Sequence, residues 1–316
     1  MADKPRFLVR FWGVRGSYPT PGPNTIRHGG NTSCVEIQAG THTLIFDAGS
    51  GIIRLGEALT QQSKDAPTLN LALFVTHAHH DHLLGFPFFS PLFDARTHLY
   101  LFGPQLGGQD IEHIITSLMS PPHFPVDVRS LPSHRSFETV DKNFCITWNN
   151  QQSAPEHGKM LQQQQRNLHS SAEVRVTGQF TPAHPSDGAI IYGIEYAGRK
   201  VIYATDVEWK DGCTDDFVHF VEGADLLIHD AQYTAQDYQQ GKHGFGHSTI
   251  QMATTTARKA HVKSLVLFHH EPTYNDTQLD QMETEARTYF ASTRSAYEGM
   301  AIDLLEQKEE NYESRR

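Results

Sequence analysis

The chain has 316 residues, a length that suits two domains or one large layered α/β domain. Hydrophobic residues make up 38% and charged residues 20%, with a mean hydropathy of −0.47, and no apolar run approaches the roughly 20 residues of a membrane-spanning helix, which excludes a transmembrane protein. Twenty-six basic against 36 acidic residues leave a formal charge of −10, the wrong sign for gathering polynucleotide phosphates, so long nucleic acid is not expected as a partner.

The opening residues, MADKPRFLVR, lack the long apolar core of a secretory signal, and the three cysteines, Cys34, Cys145 and Cys213, are odd in number and scattered. Both features predict a cytoplasmic chain without disulfides. Twenty histidines nearly equal the lysines and arginines together, and imidazole is the commonest metal ligand, so composition already points weakly toward metal chemistry.

In chain order, short apolar runs predict strands at Phe7 to Trp12, Ser33 to Gln38, Thr43 to Phe46 and Leu71 to Val75, with a Pro- and Gly-rich surface loop from Gly16 to Gly30. Helical patterns cover Ile52 to Leu59, Ile111 to Met119, Ser248 to Ala260 and Asp276 to Ser292, the last a C-terminal covering helix with Leu279, Met282, Ala286 and Tyr289 on one face. Further strands are expected at Val174 to Phe180, Ala189 to Tyr196, Lys200 to Ala204, Ala224 to Ile228 and Leu265 to Phe268, with Gly198 in a hairpin turn. The stretch from Asn149 to Ser171 is glutamine-rich and nearly free of apolar residues, and it reads as a flexible insertion in a single domain spanning residues 1–316.

The densest chemical signal is Thr76-His77-Ala78-His79-His80-Asp81-His82, which directly follows the apolar strand Leu71 to Val75. The two-residue alternation of a strand end lets His77 and His79 point the same way, and a following turn or helix start returns Asp81 and His82 toward them. Two metals fit such a turn, and His80 reads as a spacer.

This H-x-H-x-D-H motif after a hydrophobic strand resembles the signature of the metallo-β-lactamase superfamily. The resemblance spans roughly residues 7 to 272 and implies a four-layered αββα sandwich, an α/β fold with metals at one edge of two sheets. It also implies three later ligands, for which His184 after Phe180, Asp206 ending Val201-Ile-Tyr-Ala-Thr-Asp and His269 ending Leu265-Val-Leu-Phe-His stand in order. On that pattern His77, His79 and His184 hold one metal and Asp81, His82 and His269 the other, with Asp206 between. His270 competes with His269 for the last position, and His269 is favoured. His229 or Asp230 orients ligands, and Asp47 is a supporting aspartate that hydrogen-bonds near the ligand loop. The nitrogen-rich set suits two zinc ions, with manganese or iron(II) as alternatives.

The stretch Phe11-Trp-Gly-Val-Arg-Gly-Ser-Tyr-Pro-Thr20 and the segment Gly246-His247-Ser248-Thr249 resemble the phosphodiesterase branch, which includes tRNase Z-type ribonucleases and cyclic-nucleotide phosphodiesterases. The resemblance implies attack on phosphorus by a hydroxide shared between two metals, with Asp81 orienting the nucleophile and His247 acting at the scissile phosphate. His247 and Ser248, at the start of a helix, are the expected substrate-binding residues. A basic, glycine-rich arm for gripping tRNA is not visible, so a small, cyclic nucleotide diester is the expected substrate, with Phe245, Tyr233 and Tyr274 as candidates for an aromatic wall. A tRNase Z-like ribonuclease and a lactonase or thioesterase are the alternatives. Homodimers, common among such relatives, are a further expectation.

Overall fold

Strands rich in apolar residues dominate the chain, and those at the centres of the sheets are buried on both faces. The computed structural model describes residues 6–149, 154–159, 173–306 and 308–311. Six strands come first: β1 (Phe7–Gly13), β2 (Cys34–Ala39), β3 (His42–Phe46), β4 (Leu69–Phe74), β5 (Thr97–Pro104) and β6 (His134–Val140). Eight follow in a second sheet: β7 (Asn143–Asn149), β8 (Glu156–Lys159), β9 (Glu173–Thr181), β10 (Ala189–Tyr196), β11 (Arg199–Ala204), β12 (Leu226–Asp230), β13 (Leu265–Phe268) and β14 (Thr293–Ser295). The chain then returns to the first sheet with β15 (Met300–Asp303) and β16 (Lys308–Asn311) beside β1.

The sheet orders are β16-β15-β1-β2-β3-β4-β5-β6 and β14-β13-β12-β11-β10-β9-β7-β8. Both are mixed: β3 to β6 run parallel in one, β11 to β14 in the other, and the remaining pairs are antiparallel. The helices are α1 (Gly51–Gln62), α2 (His80–Leu83), α3 (Ile111–Leu118), α4 (Asp215–Val221), α5 (Ala235–Asp237), α6 (Ile250–Lys259) and α7 (Asp276–Tyr289).

Side-chain alternation assigns each strand residue to a layer. Leu44 and Phe46 of β3 enter the core between the sheets with Phe7, Phe74, Tyr192, Tyr203, Ile228 and Phe268. Ile45, one residue out of phase, joins Leu73 and Leu101 under Ile52 and Leu55 of α1 and Ile115 of α3. On the far side, Ile202, Leu227 and Leu267 pack against Phe217 of α4, Ala253 of α6 and Leu279 of α7. The result is the expected αββα sandwich. Among the described residues no helix is long and apolar enough to cross a membrane, and all three cysteines are free.

The expected strands and helices are present with shifted ends. Helix α6 starts at Ile250 rather than Ser248, because the Thr249 hydroxyl accepts from the Met252 N–H and makes Thr249 the N-cap. Helix α7 stops at Tyr289 and is not the last element, since β14 and β15 follow it. The β10–β11 hairpin turns through Ala197 and Gly198, both at positive φ (50° and 75°), a geometry for which Gly198 is suited. Most of the glutamine-rich segment lies outside the described residues, but Glu156–Lys159 forms β8, paired antiparallel with β7.

The topology sends a set of loops to one edge. The C-terminal ends of β3, β4, β9, β11, β12 and β13 lead into Asp47, the His77–His82 stretch, His184, Asp206, Asp230 and His269. Open α/β sheets bind ligands at the carboxyl ends of parallel strands, where loops from adjacent strands diverge.

Candidate metal centre

The turn after β4 delivers the first histidines. His79, in extended conformation (φ −66°, ψ 150°), precedes α2, whose single turn brings Asp81 and His82 back toward His77. The His77 ring lies 4.5 Å from that of His79, 4.3 Å from His82 and 4.7 Å from His184. His77, His82, His184, Asp206, Asp81 and His269 are buried, whereas His79 is exposed and marks the mouth. His80 is exposed on the opening turn of α2.

Asp206 sits between two sets of donors. Its Oδ2 lies 3.5 Å from His77 Nε2 and 3.9 Å from His184 Nε2; its Oδ1 lies 3.2 Å from His82 Nε2 and 3.3 Å from His269 Nε2. Asp81 Oδ2 joins the second set, 3.3 Å from His82 Nε2 and 3.0 Å from His269 Nε2. Ligand atoms of His77, His79, His184 and Asp206 lie within 4.8 Å of one another, and so do those of Asp81, His82, Asp206 and His269.

These groups fit a pair of cations. His82 directs Nδ1 to Asp47 Oδ2 at 2.8 Å, which turns Nε2 toward His269 Nε2 at 3.3 Å and two carboxylates. His184 gives Nδ1 to the Gly246 carbonyl at 3.0 Å, which turns its Nε2 toward His79 Nδ1 at 3.1 Å and Asp206. His77 Nε2 is buried without a hydrogen-bond partner. Buried lone pairs and carboxylates aimed at common points require positive charge there.

The electrostatics agree. Burial, reinforced by neighbouring imidazoles, holds His77 well below its ordinary pKa, and burial likewise lowers His79 and His184, so these three are in the neutral, ligating form. Burial opposes charge at His82 too, but the carboxylates of Asp206, Asp81 and Asp47 outweigh it and raise His82 well above the ordinary value. Asp81 and Asp206 are held well below the carboxylate range by the histidines around them, despite burial.

Backbone strain marks the same places. Asp47, Asp206 and His269 all have positive φ, at 61°, 54° and 60°, so three of the strand ends turn through the left-handed region to aim their side chains inward. Asp47 is fully buried and accepts from the Thr76 N–H (2.8 Å), the Thr76 hydroxyl, His82 Nδ1 and the Tyr203 hydroxyl (2.9 Å), tying both sheets to the ligand turn.

The remaining candidates separate clearly. His270 turns away, with Nε2 on the Ala296 carbonyl at 3.0 Å. His229 accepts from Trp209 Nε1 at 3.0 Å and directs Nδ1 to the Asp230 carbonyl at 2.6 Å, so it does not reach the ligands. Asp230 Oδ2 takes His247 Nδ1 at 2.8 Å, and its oxygens also accept the Val207 and Gln232 N–H groups. Asp230 also lies in a donor cluster with Asp206, His247 and His269. His247 stacks on His269 at 4.8 Å and 19°. Burial alone would discharge His247, but Asp230 raises it to about 9.

Ser248 is placed differently from expectation. It is fully buried and donates its hydroxyl to the Val207 carbonyl at 2.6 Å, so the hydroxyl serves the fold. Of the aromatic candidates, Tyr233 and Tyr274 are buried and Phe245 is exposed.

Three supporting residues escape sequence reasoning. Glu208 accepts from the Tyr238 hydroxyl (2.6 Å), the Gly244 N–H (2.7 Å) and the Gly246 N–H (2.9 Å), and so fixes the segment that carries His247. The buried Arg15 donates to the carbonyls of Gly29, Glu271 and Tyr274, fastening the early loop to the His269 segment. Ser17 donates its backbone N–H to Asp81 Oδ2 at 2.7 Å.

A family model described as "Beta-lactamase superfamily domain" matches residues 42–270. The chain belongs to this superfamily. Its fold is the metallo-β-lactamase fold, and it is a metal-dependent hydrolase. Ribonuclease Z of Pyrococcus furiosus is 27% identical over 84% of this chain and 87% of its own length. Among solved structures, the metallo-beta-lactamase fold protein YhfI from Bacillus subtilis aligns with a TM-score of 0.62 at 20% identity, covering 95% of this chain and 100% of that one. The short form of human tRNase Z aligns with a TM-score of 0.57 at 21% identity, covering 93% and 98%.

These relatives correct two expectations from the sequence. A small cyclic nucleotide as substrate, and the exclusion of long nucleic acid, are overturned by superfamily relatives named ribonuclease Z. The physical reason is that a formal charge of −10 sums the whole surface, whereas binding depends on the few charges beside the site.

Proposed function

We propose that this chain is a phosphodiesterase of the ribonuclease Z kind that hydrolyses an internucleotide bond in a tRNA-like RNA. The observation that carries the reading is the division of Asp206, with one oxygen toward the His77 and His184 nitrogens and the other toward those of His82 and His269. A carboxylate so divided would serve a pair of divalent ions, whose Lewis acidity suits phosphoryl transfer. The similarity to ribonuclease Z over 84% of the chain supports the choice of phosphodiester over carbonyl substrates.

In this reading His77, His79 and His184 hold one ion and Asp81, His82 and His269 the other, with Asp206 shared. When bound, two divalent ions, zinc by the nitrogen-rich donor set, supply the Lewis acidity that polarises the phosphate and acidifies water. Asp81, fixed by the Ser17 N–H, orients the attacking water. His247, with Nδ1 committed to Asp230, keeps Nε2 for the phosphate and the departing ribose oxygen, to which it delivers a proton. Glu208 holds the His247 segment in place while substrate enters at exposed His79. The free cysteines accord with a reducing, cytoplasmic setting.

The test is a side-by-side assay of metal-loaded protein on a tRNA transcript extended at both ends, a lactone and a thioester. The reading expects turnover of the RNA; hydrolysis of the carbonyl substrates with the RNA left whole would replace it.

A further inference from the structure

A chain of net charge −10 that acts on RNA needs local cations, and one stands beside His247. The segment from Tyr238 to Gly246 folds back over Glu208 and carries Lys242 and Phe245. Lys242 Nζ lies 5.4 Å from the centre of the Tyr233 ring and 5.7 Å from that of Phe245, so two aromatic faces position one ammonium. Tyr233 in turn packs edge-on against His247 at 6.0 Å, and its N–H donates to the carbonyl of Ser248, the residue after His247.

Two features make this a contact surface rather than packing. Phe245 is 55% exposed, a large apolar ring left facing solvent. Lys242 is in no ion pair among the described residues, while Glu208, the carboxylate that holds this segment, is taken by the Tyr238, Gly244 and Gly246 donors and approached by Lys210 Nζ at 3.7 Å. Gly241, Gly244 and Gly246 all have positive φ (122°, 88° and 92°), turns that bring the Phe245 ring and the Lys242 ammonium together on the segment leading into His247.

We propose that Lys242 and Phe245 form a strand contact for single-stranded RNA next to the scissile bond. The Phe245 ring stacks on a base, and the ammonium takes a neighbouring phosphate. This rests on the ribonuclease reading for the identity of the strand. Stacking platforms beside fixed cations are sequence-tolerant and salt-sensitive, as single-strand binding requires.

The test is equilibrium binding of a fluorescein-labelled, end-extended tRNA transcript to metal-loaded protein in a His247→Ala background, between about 50 and 200 mM salt. Lys242→Gln is expected to reduce the slope of log affinity against log salt by about 1, and Lys242→Arg to restore it. Phe245→Ala is expected to weaken binding roughly 5- to 100-fold with the slope unchanged. Unaltered affinity and slope in both Lys242→Gln and Phe245→Ala would overturn the contact. If the binding changes appear but the wild-type protein leaves the transcript uncut, the contact stands and the ribonuclease reading falls.

Discussion

Gly16 lies against the imidazole of His269 so closely that a Cβ built on it meets the ring Cε1 and Nδ1 at 2.4 Å. The strand-like tie of the Gly16 N–H to the His270 carbonyl at 3.0 Å prevents the loop from backing away. Gly16→Ala is therefore expected to displace His269 and weaken one metal position by about 10- to 100-fold, the range seen when ligand-positioning contacts are lost. Metal counted per chain at limiting concentration checks this, with the far-ultraviolet spectrum unchanged.

Asp47 holds His82 without facing substrate, since its oxygens are taken by Thr76, His82 and Tyr203. Asp47→Asn keeps the size but presents an NH2 group where a hydrogen-bond acceptor is needed. Metal affinity is expected to drop about 10- to 100-fold, with turnover recovering at saturating metal, as measured by metal titration of activity.

His247 is a different case. Its bond to Asp230 fixes the ring but it lies outside the two proposed ligand sets. His247→Ala is expected to lower kcat on RNA by about 10² to 10⁴ while bound metal stays as in the wild type. Loss of metal in step with loss of turnover would make it a ligand instead.

Away from the centre, Asp225 gathers Lys263 Nζ at 2.7 Å, Arg199 Nη1 at 2.9 Å and the Lys200 N–H at 2.8 Å. Burial pushes its carboxyl up, but these partners, Lys263 foremost, bring it below the ordinary aspartate range. A carboxyl with a depressed folded pKa stabilises the fold fully above its unfolded value and loses that contribution as pH falls through the folded one. Asp225→Asn is expected to cost about 1 kcal/mol at pH 7 after solvent screening, a drop of roughly 2 °C in melting temperature. Thermal scans from pH 7 down to below the aspartate range should show the gap to the wild type closing.

The parts of this molecule that were legible in sequence are those whose information is local. His77 to His82 declare themselves because ligands, turn and the preceding strand sit within a dozen residues, and β10 and β13 end where their apolar runs end. Strand β6, His134–Val140, reads as polar because it lies at the rim of its sheet with most side chains in partial contact with water. Strands β14 and β15 are too short for a period to register. Glu208 and Gly16 owe their importance to segments that return from 36 and 253 positions away, a relation no local pattern contains. The start of α6 is set by the Thr249 hydroxyl on the Met252 N–H, a side-chain bond that an apolar pattern does not contain. Net charge is likewise a sum over the whole chain and says nothing of where its cations stand.

The most direct measurement is the mass spectrum of products after metal-loaded protein is incubated with an end-extended tRNA transcript. A single cut, giving two fragments whose masses sum to the precursor plus one water, is the predicted result, and it should vanish in Asp206→Asn. Recovery of the precursor intact from protein shown to carry two metals per chain would contradict the account.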